Sequence, residues 1–446
     1  MTTSGAAALR EGLMLDRREF LGTSLAPVAA AATVVLLDPL RGARAVEAFA
    51  SVAVPPADAA ADETLWREVQ RAFAVDRSLI NLNNGGVSPS PAVVEEAMRR
   101  YLEFSNLAPV RTMWVVLEPE RETVRAAMAR AFGCDAEEVA ITRNTSEGLE
   151  TLQLGLDLAR GDEVLCTTQD YPRMITTFQQ RQRRDGIVLK QFPIPTPCED
   201  TAEVVRRYEA NITPRTKMIL VSHMVFLTGQ VLPVRDVVRL GRAHGIPVLV
   251  DGAHSFAHLA FTRADLECDF FATSLHKWLH APHGTGMLFV RAEQIAKIWP
   301  LMAAPPEKDK DIRKFEEIGT HPAANALAVG VALAFWQGIG PQRKEARLRY
   351  LRDRWARRLA TDARVRLHTS LKPEFSCGLG LVQIDGIDSG KLGEYLWNRH
   401  RIIVAPIKHA EFEGIRVAPS VYTTLEEIDR FCDVMEGLAR TGLPAA

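Results

Sequence analysis

The sequence predicts an α/β protein: a large domain built on a mostly parallel sheet with helices on both faces, then a smaller α+β C-terminal domain. Three observations predict it. Runs such as "TKMILVSH" and "IPVLVDGAH" are apolar throughout rather than alternating, the pattern of strands buried on both faces. A segment of helical period, "VRDVVRLGRAHG", lies between these two, and the same strand–helix alternation recurs along the middle of the chain. Three strand ends carry polar residues, at the edge where open parallel sheets bind ligands.

Each element can be read in order. Arg17-Arg18 precede a short apolar stretch in "DRREFLGTSLAPVAAAATVVLLDPL", and Ala43–Ala45 supply a small-residue cleavage pattern. Residues 1–45 therefore read as a twin-arginine export signal, with the twin-arginine translocase as partner and a periplasmic or extracytoplasmic destination. The apolar run is shorter than the roughly 20 residues of a membrane span, although a membrane anchor or a chance arginine pair would use the same residues. Residues 46–79, around the Pro/Ala-rich "VAVPPADAAADE", read as linker and N-terminal segment. The large domain is expected at 80–339. It holds strands "EEVAIT", "DEVLCTT", "IVLKQFPI", "TKMILVSH", "IPVLVDGAH", "CDFFATSLH" and "GTGMLFVR", with helices such as "SEGLETLQLGLDLA" and "YPRMITTFQQRQRRDG". The small domain is expected at 340–446, with short strands in "CGLGLVQIDG", "RIIVAPI" and "IRVAPS" and a last helix capped by Thr424.

Composition narrows the partner. The 446 residues carry 54 Lys+Arg against 55 Asp+Glu, a net charge of −1, so no basic field argues for nucleic acid or an anionic membrane. A small molecule is the expected ligand. The six cysteines (Cys134, Cys166, Cys198, Cys268, Cys377 and Cys432) include no Cys-x-x-Cys pair, and no metal site is indicated.

The three strand ends each have an ordinary reading. Thr145 and Ser146 begin a helix whose free N–H groups suit an anion, or merely follow an Asn144–Glu147 capping box. Asp251 closes an apolar strand, where a carboxylate needs a cation or donor, or ties down the next turn. Lys277 follows another apolar strand; desolvated, it becomes a nucleophile toward carbonyls, and otherwise it is a snorkelling surface lysine. Together they specify one ligand with an aldehyde, a ring nitrogen and a phosphate: pyridoxal 5′-phosphate, whose chemistry needs a Schiff-base lysine and an acid beside the pyridine nitrogen.

The run "LVDGAH" with "DFFATSLHKWLHAPHGTGMLFV" resembles the class V aminotransferase family of fold-type I pyridoxal-phosphate enzymes, over residues 80 to the C-terminus. "INLNNGGVSPSP" resembles the opening segment of its isopenicillin N epimerase-like branch. The resemblance implies that Lys277 carries the coenzyme and moves protons at the substrate α-carbon. Asp251 would pair with the pyridine nitrogen and His254 lie near the phenolic oxygen. Thr145, Ser146, Ser274 and His276 would hold the phosphate, and Tyr171 would stack over the ring. Thr320 resembles a residue lent to the neighbouring subunit's phosphate, which implies a homodimer. Arg416 resembles the clamp on the substrate α-carboxylate, a job suited to a planar guanidinium. Asn83 and Asn84 would line the substrate entrance, or form the turn before Gly85-Gly86.

Two departures matter. Val225-Phe226 occupies the position where relatives place an asparagine, which leaves His254 to tune the phenolic oxygen. No cysteine lies between Gly378 and Arg416, which argues against a persulfide-forming desulfurase. The implied activity is chemistry at the α-carbon of an amino acid or an amino-acid-containing substrate, either epimerisation or transamination. An exported tailoring enzyme or C–S lyase is the alternative, and a catalytically silent coenzyme-binding module the second. Epimerisation needs an acid/base opposite Lys277, for which Tyr171, His280 and His283 are the candidates.

Overall fold

The computed structural model describes residues 55–444, so the expected export signal at 1–45 lies outside them. Seven strands form the central sheet: β1 (Val139–Thr142), β2 (Glu163–Thr167), β3 (Val188–Phe192), β4 (Thr216–Ser222), β5 (Val248–Asp251), β6 (Phe270–Ser274) and β7 (Gly286–Val290). Their order is β1-β7-β6-β5-β4-β2-β3, and β7 alone runs against its neighbours. The fully apolar strands are explained by the period of two. In β4 and β5, Ile219, Val221, Val248 and Val250 face one core, while Met218, Leu220 and Leu249 face another on the opposite side. Because six strands are parallel to one another, the C-terminal ends of β1, β2, β4, β5 and β6 open at one edge.

The C-terminal sheet is antiparallel, in the order β10-β11-β9-β8, from β8 (Val365–Leu367), β9 (Gly380–Ile384), β10 (Ala405–Lys408) and β11 (Glu413–Val417). Its core includes Trp355, Val382, Ile415 and Phe431. The chain bends by 76° between helices Ala323–Ile339 and Pro341–Leu359. Gly340 takes φ 93° there, a conformation natural to glycine, and Pro341 starts the second helix, where its missing N–H costs nothing. The first of these helices packs on Ala92–Ser105 and Glu118–Phe132, and the second on Leu425–Thr441.

Two stretches differ from expectation. Much of the segment read as linker is helical, at Pro56–Ala61 and Glu63–Arg71, with Trp66 and Val69 fully buried. Its alanines are strong helix formers, and Leu65, Trp66 and Val69 form an apolar face. Residues 80–84, expected to head the large domain, bond instead to the C-terminal part. Ile80–Asn81 pairs in parallel with Ile402–Ile403, and the Asn84 amide donates to Ala418 O. Four residues further on, the Ser88 amide donates to His276 O beside Lys277.

Candidate active site

The anion-binding end is built by β1 and the helix Thr145–Gly155. Asn144 caps the helix, its side chain accepting from the Glu147 amide at 2.9 Å. Only half of the expected capping box forms, because the Glu147 carboxylate takes the Arg143 amide and guanidinium instead. The Thr145 amide and hydroxyl meet Ser274 Oγ at 3.0 and 2.7 Å, so the ends of β1 and β6 are stitched together. Two glycines permit this closeness. A Cβ on Gly286 would stand 2.7 Å from the Asn144 backbone, and one on Gly148 would stand 2.8 Å from Ala272 Cβ. Ser146 and His276 line the same end. His276 donates from Nδ1 to Thr285 O (3.0 Å), and burial pushes its pKa down to about 4, leaving a neutral ring.

At the centre, Asp251 is 5% exposed and accepts from the Ala253 amide at 2.9 Å. Burial raises its pKa; that hydrogen bond and the Lys277 charge oppose the rise. Gly252 must be glycine, since a Cβ would lie 2.0 Å from the Phe271 ring. Behind Asp251 stands a second buried carboxylate that sequence reading passed over. Asp170 accepts from Thr167 N (2.7 Å), Thr167 Oγ1 (2.9 Å) and Ser222 Oγ (2.7 Å), and burial pushes its pKa up to about 6. Its signal was a carboxylate three residues past the end of β2.

Lys277 Nζ lies 3.1 Å from His254 Nε2. Burial lowers the lysine to about 8, with Asp251 pulling it up and Arg416 pushing it further down. Trp278, which follows it, is fully buried, donates from its indole to His254 Nδ1 (3.4 Å) and stacks on His258 with ring centroids 3.7 Å apart. Lys277 is thus a cavity residue next to a core residue, Trp278.

Tyr171 caps the helix Pro172–Asp185, is 38% exposed and meets Phe226 edge to face at 5.2 Å. Phe226 fills the wall where a polar donor was absent from the sequence, and Met174 and Met224, not anticipated, line the cavity too. The loop before Tyr171 is latched to the C-terminal domain. Thr168 and Gln169 donate to Glu411, and His409 meets Thr168 O at 3.0 Å.

Arg416 is held by the protein itself. Its terminal nitrogens donate to Phe226 O and Asn83 Oδ1, both at 2.9 Å, and its charge is felt at Lys277 and His254. Its Nε is buried without a hydrogen-bond partner, and burial lowers its pKa to about 10. Asn83 is its bracket. Asn84 does not reach the cavity: its amide nitrogen donates to Asn81 O and Ala418 O, and its oxygen accepts from Tyr422 OH (2.6 Å). Thr320 is exposed and lies outside the cavity of its own chain. His280 packs on Phe73 and His283 is exposed beside Ser88 O, so neither lines the cavity. Cys377, just ahead of the stretch in question, is fully buried, and burial pushes its thiol up to about 12.

The cavity of about 200 Å³ therefore joins a helix start with three hydroxyls, a buried carboxylate and a lowered lysine. This donor set fits the phosphate, ring nitrogen and aldehyde of pyridoxal 5′-phosphate.

Comparison with known proteins agrees. The family model "Aminotransferase class-V" matches residues 80–431. An isopenicillin N epimerase of Streptomyces clavuligerus is 30% identical over 391 residues, covering 84% of this chain and 98% of that protein. A probable cysteine desulfurase of Mycobacterium leprae is 28% identical, covering 82% and 63%. An apo cysteine desulfurase structure from Thermococcus onnurineus NA1 superposes with TM-score 0.73 at 23% identity, covering 84% and 98%, which shows the shared fold.

Proposed function

Since the chain belongs to the class V aminotransferase family, a family of pyridoxal 5′-phosphate enzymes, we propose that it moves the α-proton of an amino acid or amino-acid-containing substrate, as an epimerase of the isopenicillin N epimerase kind. When bound, the coenzyme supplies an electron sink that makes the substrate α-hydrogen acidic. The chain's own residues supply the rest. The first turn at Thr145 and Ser146, with Ser274 and His276, would hold the phosphate, and Asp251 would keep a proton at the ring nitrogen. Lys277, lowered to about 8, would attach the coenzyme and carry a proton to or from the α-carbon. Arg416 attracts the α-carboxylate once that anion displaces Phe226 O or Asn83 Oδ1.

The observation that carries epimerisation is the placing of Tyr171 and Lys277. They follow β2 and β6, which flank β4 and β5 in the sheet, and both line one cavity, which supports two proton carriers at one substrate. His280 and His283, lying off the cavity, leave Tyr171 as the second carrier. Incubation in heavy water with coenzyme and an amino-acid panel tests this. The expected result is deuterium at the α-carbon with inversion, and Tyr171→Phe should keep exchange but lose inversion by about 10²-fold. Keto-acid products would make it a transaminase, and loss of a β-substituent a lyase. Cys377, buried with its thiol raised, disfavours persulfide formation.

Export and assembly belong to the same proposal. Replacing Arg17-Arg18 by Lys-Lys should block export, and secretion of that variant would reject the signal. The exposed Thr320 suits a homodimer in which each subunit completes the other's phosphate site; a monomeric, fully coenzyme-loaded protein in solution would reject it.

A further inference from the structure

The geometry points to Trp278 as a positioning residue: its indole N–H fixes the proton of His254 on Nε2, so that His254 faces the coenzyme cavity as a hydrogen-bond donor. An indole nitrogen only donates. It lies 3.4 Å from His254 Nδ1, which must therefore be the acceptor. A neutral imidazole carries one proton, and with Nδ1 accepting, that proton sits on Nε2, the atom 3.1 Å from Lys277 Nζ. His254 is 4% exposed, and burial lowers its pKa well below the ordinary value, with Lys277 and Arg416 adding to the effect, so the ring stays neutral.

The indole is held in turn. His258 stacks on it with rings 23° from parallel, accepts the Gly378 amide on Nε2 at 2.8 Å, and so donates from Nδ1 to His254 O at 2.8 Å. Each histidine thus has its tautomer set by a group that only donates, the Gly378 amide for one and Trp278 for the other. Lys344 donates to Trp278 O and anchors its backbone. Two consequences follow at the cavity. The neutral Lys277 amine, the form that attacks a carbonyl, is the one that can receive a hydrogen bond from Nε2, whereas the protonated amine meets a second donor there. An oxygen of the bound coenzyme that takes the amine's place meets an N–H rather than a lone pair, which fills the role that Phe226 cannot. The inference rests on the coenzyme-dependent reading of this site but not on which reaction follows.

Its test begins with the coenzyme-free protein labelled with ¹⁵N-histidine, using long-range proton–nitrogen correlations, with His254→Gln to identify the His254 signals. The expected spectrum shows His254 protonated on Nε2, and Trp278→Phe, which keeps an aromatic ring for His258, should populate the Nδ1–H form. A wild-type His254 protonated on Nδ1 overturns the inference, even if the variant fails to fold; an unchanged tautomer in a folded variant also overturns it. Coenzyme affinity gives the second readout. Trp278→Phe should weaken pyridoxal phosphate about fivefold, the worth of one neutral hydrogen bond. In the His254→Gln background, where an amide N–H donates without a tautomer to fix, it should have no effect. Equal weakening in both backgrounds makes Trp278 merely structural.

Discussion

The two halves of the cavity are prepared to different degrees. On the coenzyme side, Thr145, Ser274, Asp251, His254 and Lys277 stand at the ends of β1, β5 and β6, and several are already bonded to one another. On the substrate side, Arg416 is bonded to Phe226 O and Asn83, and Tyr171 is more than one-third exposed. The first half is preorganised by a sheet whose backbone cannot shift without breaking its ladders. The second is assembled from loops and from the C-terminal domain, with its cation in provisional bonds. On the proposed reading, coenzyme binding would meet a finished site, while substrate binding would exchange partners and draw on the substrate's own binding energy.

The comparison can be broken most decisively at Lys277. Lys277→Ala should lose the protein-bound coenzyme absorbance and at least about 10³-fold in turnover; a borohydride-reducible adduct on another lysine would show that the attachment point lies elsewhere. Asp251→Asn keeps the shape but not the charge. It should retain part of the coenzyme while turnover drops on the order of 10²-fold, and undiminished turnover would remove Asp251 from the chemistry. On the substrate side the signature differs in kind. Arg416→Lys should raise KM by about 10- to 100-fold, the worth of a charge-assisted pair, with coenzyme affinity unchanged. A loss of coenzyme instead would mean that the two halves are not separable.

The smallest effect lies in pH. Lys277 is lowered to about 8 by burial, and only the neutral amine captures the coenzyme. Below that value the neutral fraction falls tenfold per unit, so the capture rate of the coenzyme-free protein should climb with pH up to about 8 and then level off. A stopped-flow profile still climbing at pH 10 would mean that the lysine is not desolvated.

Legibility in the sequence follows the same division. Asp251, Lys277 and the helix start at Thr145 could be read because each is a polar residue at the end of an apolar run, a local pattern. Arg416 could be named but not positioned, since its partners Asn83 and Phe226 lie 333 and 190 residues away along the chain. Asn84 looked like an entrance residue because asparagine side chains are ambiguous until their partners are known. Asp170 escaped notice because its purpose depends on Ser222, which belongs to another strand. β8 has three residues, too few for any period to show, and the helices at 56–71 hid inside a composition that also suits linkers.

The segment 80–88 bonds at one end to Ile402–Ile403 and Ala418, two residues from Arg416, and at the other to His276, one residue from Lys277. In mechanical terms it is a tie-rod between the residue that would clamp the substrate and the residue that would hold the coenzyme. Its exposed stretch, Gly86-Val87, is reachable from solvent. One peptide cut there would remove no core side chain yet free the two halves of the cavity from their shared spacer, a way of uncoupling them that no single side-chain replacement offers.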